Sequence, residues 1–388
     1  MLTAEQTAIV KATVPLLETG GEALTTHFYR MMLAEHPEVR PLFNQAHQAS
    51  GTQPRALANA VLQYARHIDD LGALGALPAQ IIQKHVALQI LPEHYPIVGG
   101  CLLRAIREVL GAEIATDAVI AAWGAAYGQL ADILIGAEGA EYDRLAAAPG
   151  GWRGTRRFRI AAKVPESAEI TSFHLVPADG GPVVAHQPGQ YLGLRLTIDG
   201  QEVRRNYSLS QAANGRDLRI SVKREPGGVV STHLHDVLAE GDELDVFPPA
   251  GAFVLRPGSG PVALISGGVG ITPTLAMAES ALAQGRDLVF IHYARNPQVQ
   301  AFGATLAQWA RQHPGFTAHV VLEEGAATGA PAGRPSLAQL SAWVPVEGDA
   351  YVLGPKPFMA FVNRALAELG VAEGRRHFEF FGPAEALA

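Results

Sequence analysis

The 388-residue chain is poor in cysteine, in charged residues and in long apolar runs. Its one cysteine, Cys101, excludes an intramolecular disulfide and excludes zinc or iron–sulfur sites built on several thiolates. Charged residues make up 17% of the chain and carry a net charge of −7, and no run of Lys or Arg offers a track for phosphates. We therefore expect no nucleic-acid partner, and any redox chemistry must use cofactors that cysteine does not hold.

No stretch reaches the roughly 18 uninterrupted apolar residues of a membrane span, and the first residues lack a basic stretch followed by an apolar one. This pattern predicts a soluble cytoplasmic protein without integral membrane association. We also expect a monomer, although the sequence leaves the oligomeric state open. At roughly 150 residues per domain, 388 residues suggest two or three domains, and the changes of pattern along the chain favour three. A hydrophobic content of 48% indicates that each can bury a core.

Residues 1–148 read as an all-α domain. Thr3 and Gln6 form a capping box for a first helix, which Pro15 should kink or end, and a second helix should end before Pro37. Apolar residues at helical spacing predict further helices over 54–70, 79–90, 96–111 and 117–138. Six or more helices with short breaks indicate a helix-packed fold.

Small and turn-forming residues at 146–151 end the helical pattern, and a pattern typical of β-strands follows. Short strands separated by Gly, Pro and Asp predict an all-β Greek-key barrel over 152–258. We place the strands at 158–164, 170–176, 191–196, 206–210, 218–223, 243–247 and 253–255.

From residue 261 to residue 388, strands and helices alternate, which predicts an α/β domain with a doubly wound parallel sheet. The predicted strands are 262–266, 288–293, 316–322, 350–353 and 377–381. The predicted helices are 274–284, 299–311, 336–343 and 357–369.

His85 is the first candidate site residue. In a helix it shares a face with Ile81, Ile82 and Leu88, so its ring should point toward the core. A buried histidine is most often satisfied by a backbone carbonyl, but an imidazole in this position can also bind a metal.

Glu138 and Tyr95 favour the metal-binding role of His85 over the structural one. The inward stripe of the helix predicted at 117–138 ends on Glu138, a carboxylate placed against the helix dipole. A frayed, solvated helix end would also explain it. Tyr95 precedes Pro96 at a helix entrance, where a hydroxyl could bridge the imidazole and the carboxylate. His85, Tyr95 and Glu138 thus form a candidate hydrogen-bonded triad, which would make the imidazole more electron-donating.

The helical region resembles the globin domain of the flavohemoprotein family, and the resemblance runs through the whole chain. It rests on residues 11–15, Phe28-Tyr29, residues 41–44, Gln83-Lys84-His85 and residues 122–128. The resemblance implies that His85 is the proximal ligand of haem b iron, that Tyr95 and Glu138 are its charge relay, and that Lys84 tunes the redox centre.

The resemblance also implies a distal pocket. Tyr29 would hydrogen-bond bound O₂, with Phe28, Phe43, Gln53 and Leu57 around it. A neutral donor over bound O₂ stabilises its superoxide character, although Tyr29 as core filler remains the alternative.

The sequence Arg205-Asn206-Tyr207-Ser208 resembles the flavin-binding motif of ferredoxin-reductase-like barrels. By this resemblance Arg205 would neutralise the FAD pyrophosphate, Tyr207 would pack on the isoalloxazine, and Ser208 would hydrogen-bond its edge. Tyr191, in a companion motif upstream, joins this set. Near the end of the chain, Glu379, Phe380 and Phe381 resemble the family's signature in which an aromatic covers the flavin and the glutamate tunes its potential.

Residues 267–273 follow an apolar strand and open a helix, with Thr272 as the expected N-cap and Pro273 in the first turn. Glycines here let the backbone approach a pyrophosphate. An ordinary tight turn between a strand and a helix would show the same pattern. A second loop, residues 354–356, should open at the same sheet edge, where dinucleotides bind. The predicted NAD(P) residues are Gly268, Val269, Gly270, Ile271, Thr272 and Pro273.

The resemblance implies a nitric oxide dioxygenase, in which NAD(P)H and FAD reduce haem, whose O₂ complex converts NO to nitrate. A peroxide or alkyl hydroperoxide reductase with the same cofactors, and an O₂- or NO-binding protein whose flavin domain keeps the iron ferrous, are the alternatives. The choice of NADH or NADPH stays open, because Arg295 after a strand can meet a 2′-phosphate or face water.

Overall fold

The computed structural model describes residues 2–43, 52–75 and 77–381. Its N-terminal part is helical, and its first helices begin and end where the sequence predicts. The helices are α1 (Ala4–Ala12), α2 (Val14–Glu35), α3 (Thr52–Arg66), α4 (Leu77–Leu88), α5 (His94–Leu110) and α6 (Asp117–Ala147), with 3₁₀ turns at Pro37–Leu42 and Leu71–Leu74.

Local chemistry sets the first helix boundaries. The Thr3 and Gln6 capping box is present in both directions, at 3.1 Å for the Thr3 hydroxyl and 2.9 Å for the Gln6 amide oxygen. Pro15 lies in the first turn of α2, where a missing N–H costs nothing, so the chain breaks into two helices before it. Helix α2 ends at Glu35, ahead of Pro37, as predicted.

Helix α6 runs nine residues past the predicted end at 138. By length and apolar composition alone, it is the one helix in the described residues that could cross a membrane, a test that core helices also pass. Its buried residues include Trp123, Glu138 and Tyr142. Glu138 therefore lies inside the helix. The prediction that it stands at the helix end, against the helix dipole, is wrong.

A six-stranded sheet follows, in the order β4-β3-β6-β1-β2-β5. An isolated bridge between Leu209, directly after β4, and Ile220 on β5 joins its two edges, so the sheet closes into a barrel. Helix α7 (Val229–Asp236) precedes β6. The strands are β1 (Arg156–Pro165), β2 (Ile170–Pro177), β3 (Tyr191–Ile198), β4 (Gln201–Ser208), β5 (Leu218–Lys223) and β6 (Glu243–Val246).

The predicted strand over 253–255 is wrong, because the backbone there is irregular. Phe253 and Leu255 are buried, but they pack in the core cluster of the parallel sheet and its helices. Burial in this core, and not strand pairing, explains why these positions are apolar.

The last region is a five-stranded parallel sheet in the order β11-β10-β7-β8-β9, which confirms the predicted doubly wound fold. Strand β11 ends at Phe378, three residues before the predicted end. The strands are β7 (Val262–Gly267), β8 (Leu288–Ala294), β9 (Phe316–Leu322), β10 (Asp349–Leu353) and β11 (Arg376–Phe378), and the helices are α8 (Ile271–Ala283), α9 (Gly303–Gln312), α10 (Leu337–Trp343) and α11 (Lys356–Glu368).

The two sheets and their helices form one compact unit, and the helical region forms another.

Candidate functional site

His85, Tyr95 and Glu138 meet in the helical unit from three different helices. His85 Nδ1 lies 2.7 Å from Glu138 Oε1 and 3.2 Å from the Tyr95 hydroxyl oxygen. The Tyr95 O–H donates to the same Glu138 oxygen at 2.7 Å. Because a carboxylate only accepts, the imidazole proton belongs on Nδ1. The three residues predicted as a triad are therefore brought together.

Burial strengthens this triad. The Glu138 side chain is 2% exposed, whereas the His85 side chain is 32% exposed. Burial, and then the hydrogen bond to Glu138, raises the pKa of the Tyr95 hydroxyl, so that hydroxyl stays protonated and donating.

The ring of His85 fits a metal-ligand role better than a structural one. Its hydrogen bonds in the described residues are made at Nδ1 to a side-chain carboxylate and a phenol, not to a backbone carbonyl. That arrangement directs Nε2, the deprotonated nitrogen, to an external ligand, as in the carboxylate–histidine–metal arrangements of metalloproteins. Lys84, predicted to tune this centre, is half-buried on the same helix.

Two tyrosines that the sequence reading did not assign support the triad from α6. The Tyr142 hydroxyl donates to the carbonyl of Ile90 at 2.7 Å, just past the end of α4. The Tyr127 hydroxyl donates to the carbonyl of Tyr95 at 2.7 Å, at the start of α5. Tyr127 and Tyr142 lie 11 residues before and four after Glu138, on one helix face. This helical spacing from Glu138 is the sequence signal that could have identified both tyrosines.

Tyr29 is buried in α2 at 7% exposure, with Phe28 and Phe43 in edge contact at ring distances of 4.9 and 5.6 Å. Burial raises the pKa of the Tyr29 hydroxyl, and a hydrogen bond with the Gln53 side chain partly lowers it. A bond that lowers this pKa is one in which the phenol oxygen accepts, which leaves the phenol proton to be donated. Leu57, one turn beyond Gln53 on α3, packs against the same core.

In the barrel, the predicted flavin residues lie along β4. Arg205 and Tyr207 alternate with Asn206 and Ser208, so the two pairs face opposite sides of the strand. Burial lowers the pKa of Arg205 and raises the pKa of Tyr207, and the two interact electrostatically. A desolvated guanidinium beside a phenol ring suits a pyrophosphate and an aromatic ring, so this strand fits FAD. Asn206 is exposed.

Tyr191 adds a second aromatic surface in the barrel. Its ring packs on Gly251, where a Cβ would come within 2.7 Å of the ring carbon Cε1. Burial raises the pKa of Tyr191, and the charge of Glu379 raises it further, so Glu379 lies near this ring. Phe380 is half-buried and Phe381 is 51% exposed. Glu379 Oε1 accepts from the Phe380 amide at 2.9 Å.

The glycine loop after β7 forms a 3₁₀ turn, Gly268–Gly270, that leads into α8. Gly270 is pressed against β10, because a Cβ there would lie 2.4 Å from the Leu353 carbonyl oxygen. Gly354 would similarly meet the Gly267 amide nitrogen at 3.2 Å. The two loops predicted to share one sheet edge are therefore in contact, and only glycine allows this approach. Backbone amides at such an edge fit a pyrophosphate.

The predicted N-cap of α8 is wrong. The helix begins at Ile271 after Gly270, and the Thr272 hydroxyl donates to the Val269 carbonyl at 3.0 Å instead of capping an amide. The 3₁₀ turn adds residues to the start of the helix, which moves Thr272 and Pro273 inside it. Ile271, Thr272 and Pro273 are buried.

Comparisons with known proteins agree with this geometry. A Globin family model matches residues 26–134, an oxidoreductase FAD-binding domain model matches 157–255, and an oxidoreductase NAD-binding domain model matches 264–364. Flavohemoproteins of Pseudomonas aeruginosa and of a Burkholderia strain are 63% and 61% identical, and each match covers all of both chains.

Solved structures give the same architecture. The flavohemoglobin of Malassezia yamatoensis, solved with bound FAD and haem, superposes with a TM-score of 0.86 at 26% identity over 98% of this chain and all of that one. The FAD/NAD-binding domain of a Vibrio cholerae nitric oxide dioxygenase is 40% identical, covering 60% of this chain and all of that one, with a TM-score of 0.57.

Fold and site together define a globin joined to a flavin- and nicotinamide-dependent reductase. The chain belongs to the flavohemoprotein family. It is an oxidoreductase whose cofactors are haem, FAD and a nicotinamide nucleotide.

Proposed function

We propose that the chain is an NAD(P)H-dependent nitric oxide dioxygenase in the cytoplasm. The observation that carries the proposal is the pairing, within one globin unit, of a carboxylate-held histidine with a buried tyrosine whose proton can be donated. When bound, haem and FAD together supply the redox chemistry, which moves electrons from NAD(P)H through FAD to iron and joins NO and O₂ as nitrate.

On the proximal side, the chain's own residues hold the proton of the His85 ring in place and fix the orientation of that ring. Nε2 of His85 would bind the iron. Glu138 and Tyr95 would keep the single N–H proton of the ring on Nδ1. The buried carboxylate gives the imidazole partial anionic character and so increases its electron donation. Tyr142 and Tyr127 fix the ends of the two helices that carry His85 and Tyr95.

On the distal side, Tyr29 would act as a neutral donor. Its raised pKa keeps the hydroxyl protonated across the physiological range, and Gln53 orients it by donating to its oxygen. Phe43 packs edge-on against the Tyr29 ring and helps to fix its orientation. A donor fixed in a dry pocket stabilises negative charge that develops on a bound diatomic ligand.

In the reductase unit, Arg205 and Tyr207 would hold FAD, and Tyr191 with Phe380 and Phe381 would bracket its ring. Ser208, the last residue of β4, would hydrogen-bond the ring edge, and Asn206 belongs to the same proposed FAD-binding set. The loop at 268–273 would hold the pyrophosphate of the nicotinamide nucleotide, in contact with the loop after β10.

The test combines a Tyr29→Phe variant with nitrate measurement. Holoprotein reduced anaerobically with NADH would be mixed with O₂ and NO, and we expect one nitrate per NO consumed. Tyr29→Phe should raise the O₂ dissociation rate by about 10–100-fold, the effect of losing one preorganised donor of about 1.5–3 kcal/mol.

Tyr64→Phe is the matched control, because Tyr64 is also buried in this unit but donates to the Ala126 carbonyl at 2.8 Å. An unchanged O₂ dissociation rate in Tyr29→Phe would remove Tyr29 from the mechanism. Faster NADH consumption with an alkyl hydroperoxide than with NO and O₂ would favour a peroxide reductase. Ligand binding without NO-dependent turnover would indicate a binding protein.

A further inference from the structure

Arg295 lies at the nucleotide edge of the parallel sheet. It directly follows β8, and β8 pairs with β7 up to Gly267, where the glycine loop starts. In open α/β sheets, an arginine shortly after the second strand can accept the 2′-phosphate that distinguishes NADPH from NADH. By position alone, therefore, Arg295 favours NADPH.

The side chain of Arg295 is already paired, however. Its guanidinium forms an ion pair and hydrogen bond with Glu169, which lies in the turn between β1 and β2 of the barrel. This bond is the largest cause of the raised pKa of Arg295, and the charges of Glu225 and Glu323 raise it further. The charges of three carboxylates thus act on the Arg295 guanidinium.

The neighbouring charges are also paired. Glu225 has its own cation in Lys223 at 2.9 Å, and Glu323 has Arg334 at 3.8 Å. Arg224, next in the chain to Glu225, is paired with Asp236 at 2.6 Å. A 2′-phosphate entering here would have to break an ion pair to find a cation.

The turn that carries Glu169 is anchored by its main chain. The Ala168 amide donates to the Gln298 carbonyl at 2.9 Å, on the loop that follows Arg295. The Arg224 amide donates to the Glu169 carbonyl at 2.7 Å, and Ser167 Oγ accepts from the amide of Ile170 at 3.1 Å. Because these bonds fix the backbone on both sides, Glu169 is held next to Arg295 without help from its own side chain.

We propose that Glu169 is a specificity-determining residue that makes the nucleotide site select NADH over NADPH. It occupies the guanidinium that a 2′-phosphate would need, and with Glu225 and Glu323 it repels that phosphate's negative charge. Selectivity here comes from a feature that disfavours the wrong ligand. The inference rests on the proposed function only in that a nicotinamide nucleotide is the electron donor.

A binding experiment on the holoprotein tests this without turnover. The probes are 2′,5′-ADP and 5′-AMP, which differ in the 2′-phosphate, and calorimetry gives the dissociation constants. Glu169→Gln should tighten 2′,5′-ADP about tenfold, the Coulomb effect of removing one charge about 5 Å from a phosphate of charge about −1.5 to −2 in water-like dielectric. The affinity for 5′-AMP should change less than about twofold, because 5′-AMP carries no 2′-phosphate for the carboxylate to repel.

Two further variants make the result specific. Glu243→Gln removes the same charge from an exposed pair with Arg157 in the same barrel, and should change neither affinity. The double variant Glu169→Gln with Arg295→Gln should lose most of the gain, because the released guanidinium is the phosphate's partner. Arg295 and Glu169 are 60% and 29% exposed, so their pair contributes little to stability and the variants should fold.

Anaerobic flavin reduction by NADPH should accelerate in Glu169→Gln by a similar factor, while reduction by NADH stays within about twofold. The proposal is overturned if Glu169→Gln leaves the affinity for 2′,5′-ADP unchanged, if both probes tighten equally, or if the double variant keeps the full gain. None of these readouts involves NO, so a failure of the dioxygenase proposal would leave them intact.

Discussion

At His85, the proposed proximal ligand, side chains separated by 10 and 53 residues in sequence meet within 3.2 Å, each from a different helix. At the proposed nucleotide edge, two short loops approach each other at glycine positions, where an added Cβ would meet the backbone of the other loop or the Phe358 ring. The first site depends on the register of long helices, whereas the second depends on the absence of a side chain at a few positions. The two should therefore fail in different ways when they are changed.

The largest expected effect is at the glycine loop. In Gly270→Ala, the new Cβ would lie 2.4 Å from the Leu353 carbonyl oxygen and 2.7 Å from its carbon, and neither atom can rotate away. Overpacking of this kind costs about 1–3 kcal/mol, so nucleotide affinity should fall by roughly 10–100-fold as the loops separate. Calorimetry with NAD⁺ and the rate of flavin reduction measure it.

The control is Gly374→Ala in the same domain, where a Cβ meets nothing within 4 Å. That variant should bind NAD⁺ as the parent does. An affinity within twofold of the parent in Gly270→Ala would mean that the contact between the loops does not shape the site.

The next effect is at Glu138, the carboxylate that contacts His85. Glu138→Gln keeps the size of the side chain but removes the charge that holds the His85 proton. We expect a lower iron–histidine stretching frequency in the resonance Raman spectrum of the ferrous protein, and haem affinity reduced by about 10-fold or more, as for other outer-shell partners of metal ligands.

Asp132→Asn, an exposed change of the same charge on the same helix, should leave both quantities unchanged. If the stretching frequency of Glu138→Gln matched that of the parent, the carboxylate would be packing the helix and not tuning the imidazole. Together, Gly270→Ala and Glu138→Gln distinguish a site that is disrupted by added side-chain volume from a site that is disrupted by loss of a charge.

The contrast also explains how far the sequence could be read. The glycine loop and the capping box of α1 are local patterns, so their positions follow from a few adjacent residues. The triad was predictable because helical spacing places His85 and Glu138 on inward faces. The end of α6 was not, since the run from 139 to 147 continues the helix through tertiary contacts such as the buried Tyr142.

Other errors have the same origin. Phe253 and Leu255 are apolar residues that bracket Val254 in a short apolar run, as in a strand, but their burial comes from packing against the next domain's core. The N-cap of α8 was misplaced because a 3₁₀ turn precedes the helix, and nothing in the local sequence distinguishes it. The pairing of Glu169 with Arg295 joins residues 126 apart, which no local pattern contains.

The smallest effect concerns a buried side-chain pair on β7 and β8, beneath the glycine loop. Ser266 and His292 are neighbours on β7 and β8, with Ser266 Oγ 2.9 Å from His292 Nδ1, and both are buried. Burial lowers the pKa of His292 from 6.5 to about 4, because the interior favours the neutral ring. The stability that this residue contributes is complete above pH 6.5 and is lost as the pH falls toward 4.

At pH 6 that loss should be about 1 kcal/mol, which corresponds to about 2–4 °C in the melting temperature of the holoprotein. His292→Asn cannot titrate there, so its melting temperature should fall less between pH 7.5 and pH 6 than that of the parent. His313→Asn, at a half-buried position after α9, should respond as the parent does. Equal pH responses of the parent and His292→Asn would show that the ring is already accommodated in its charged form.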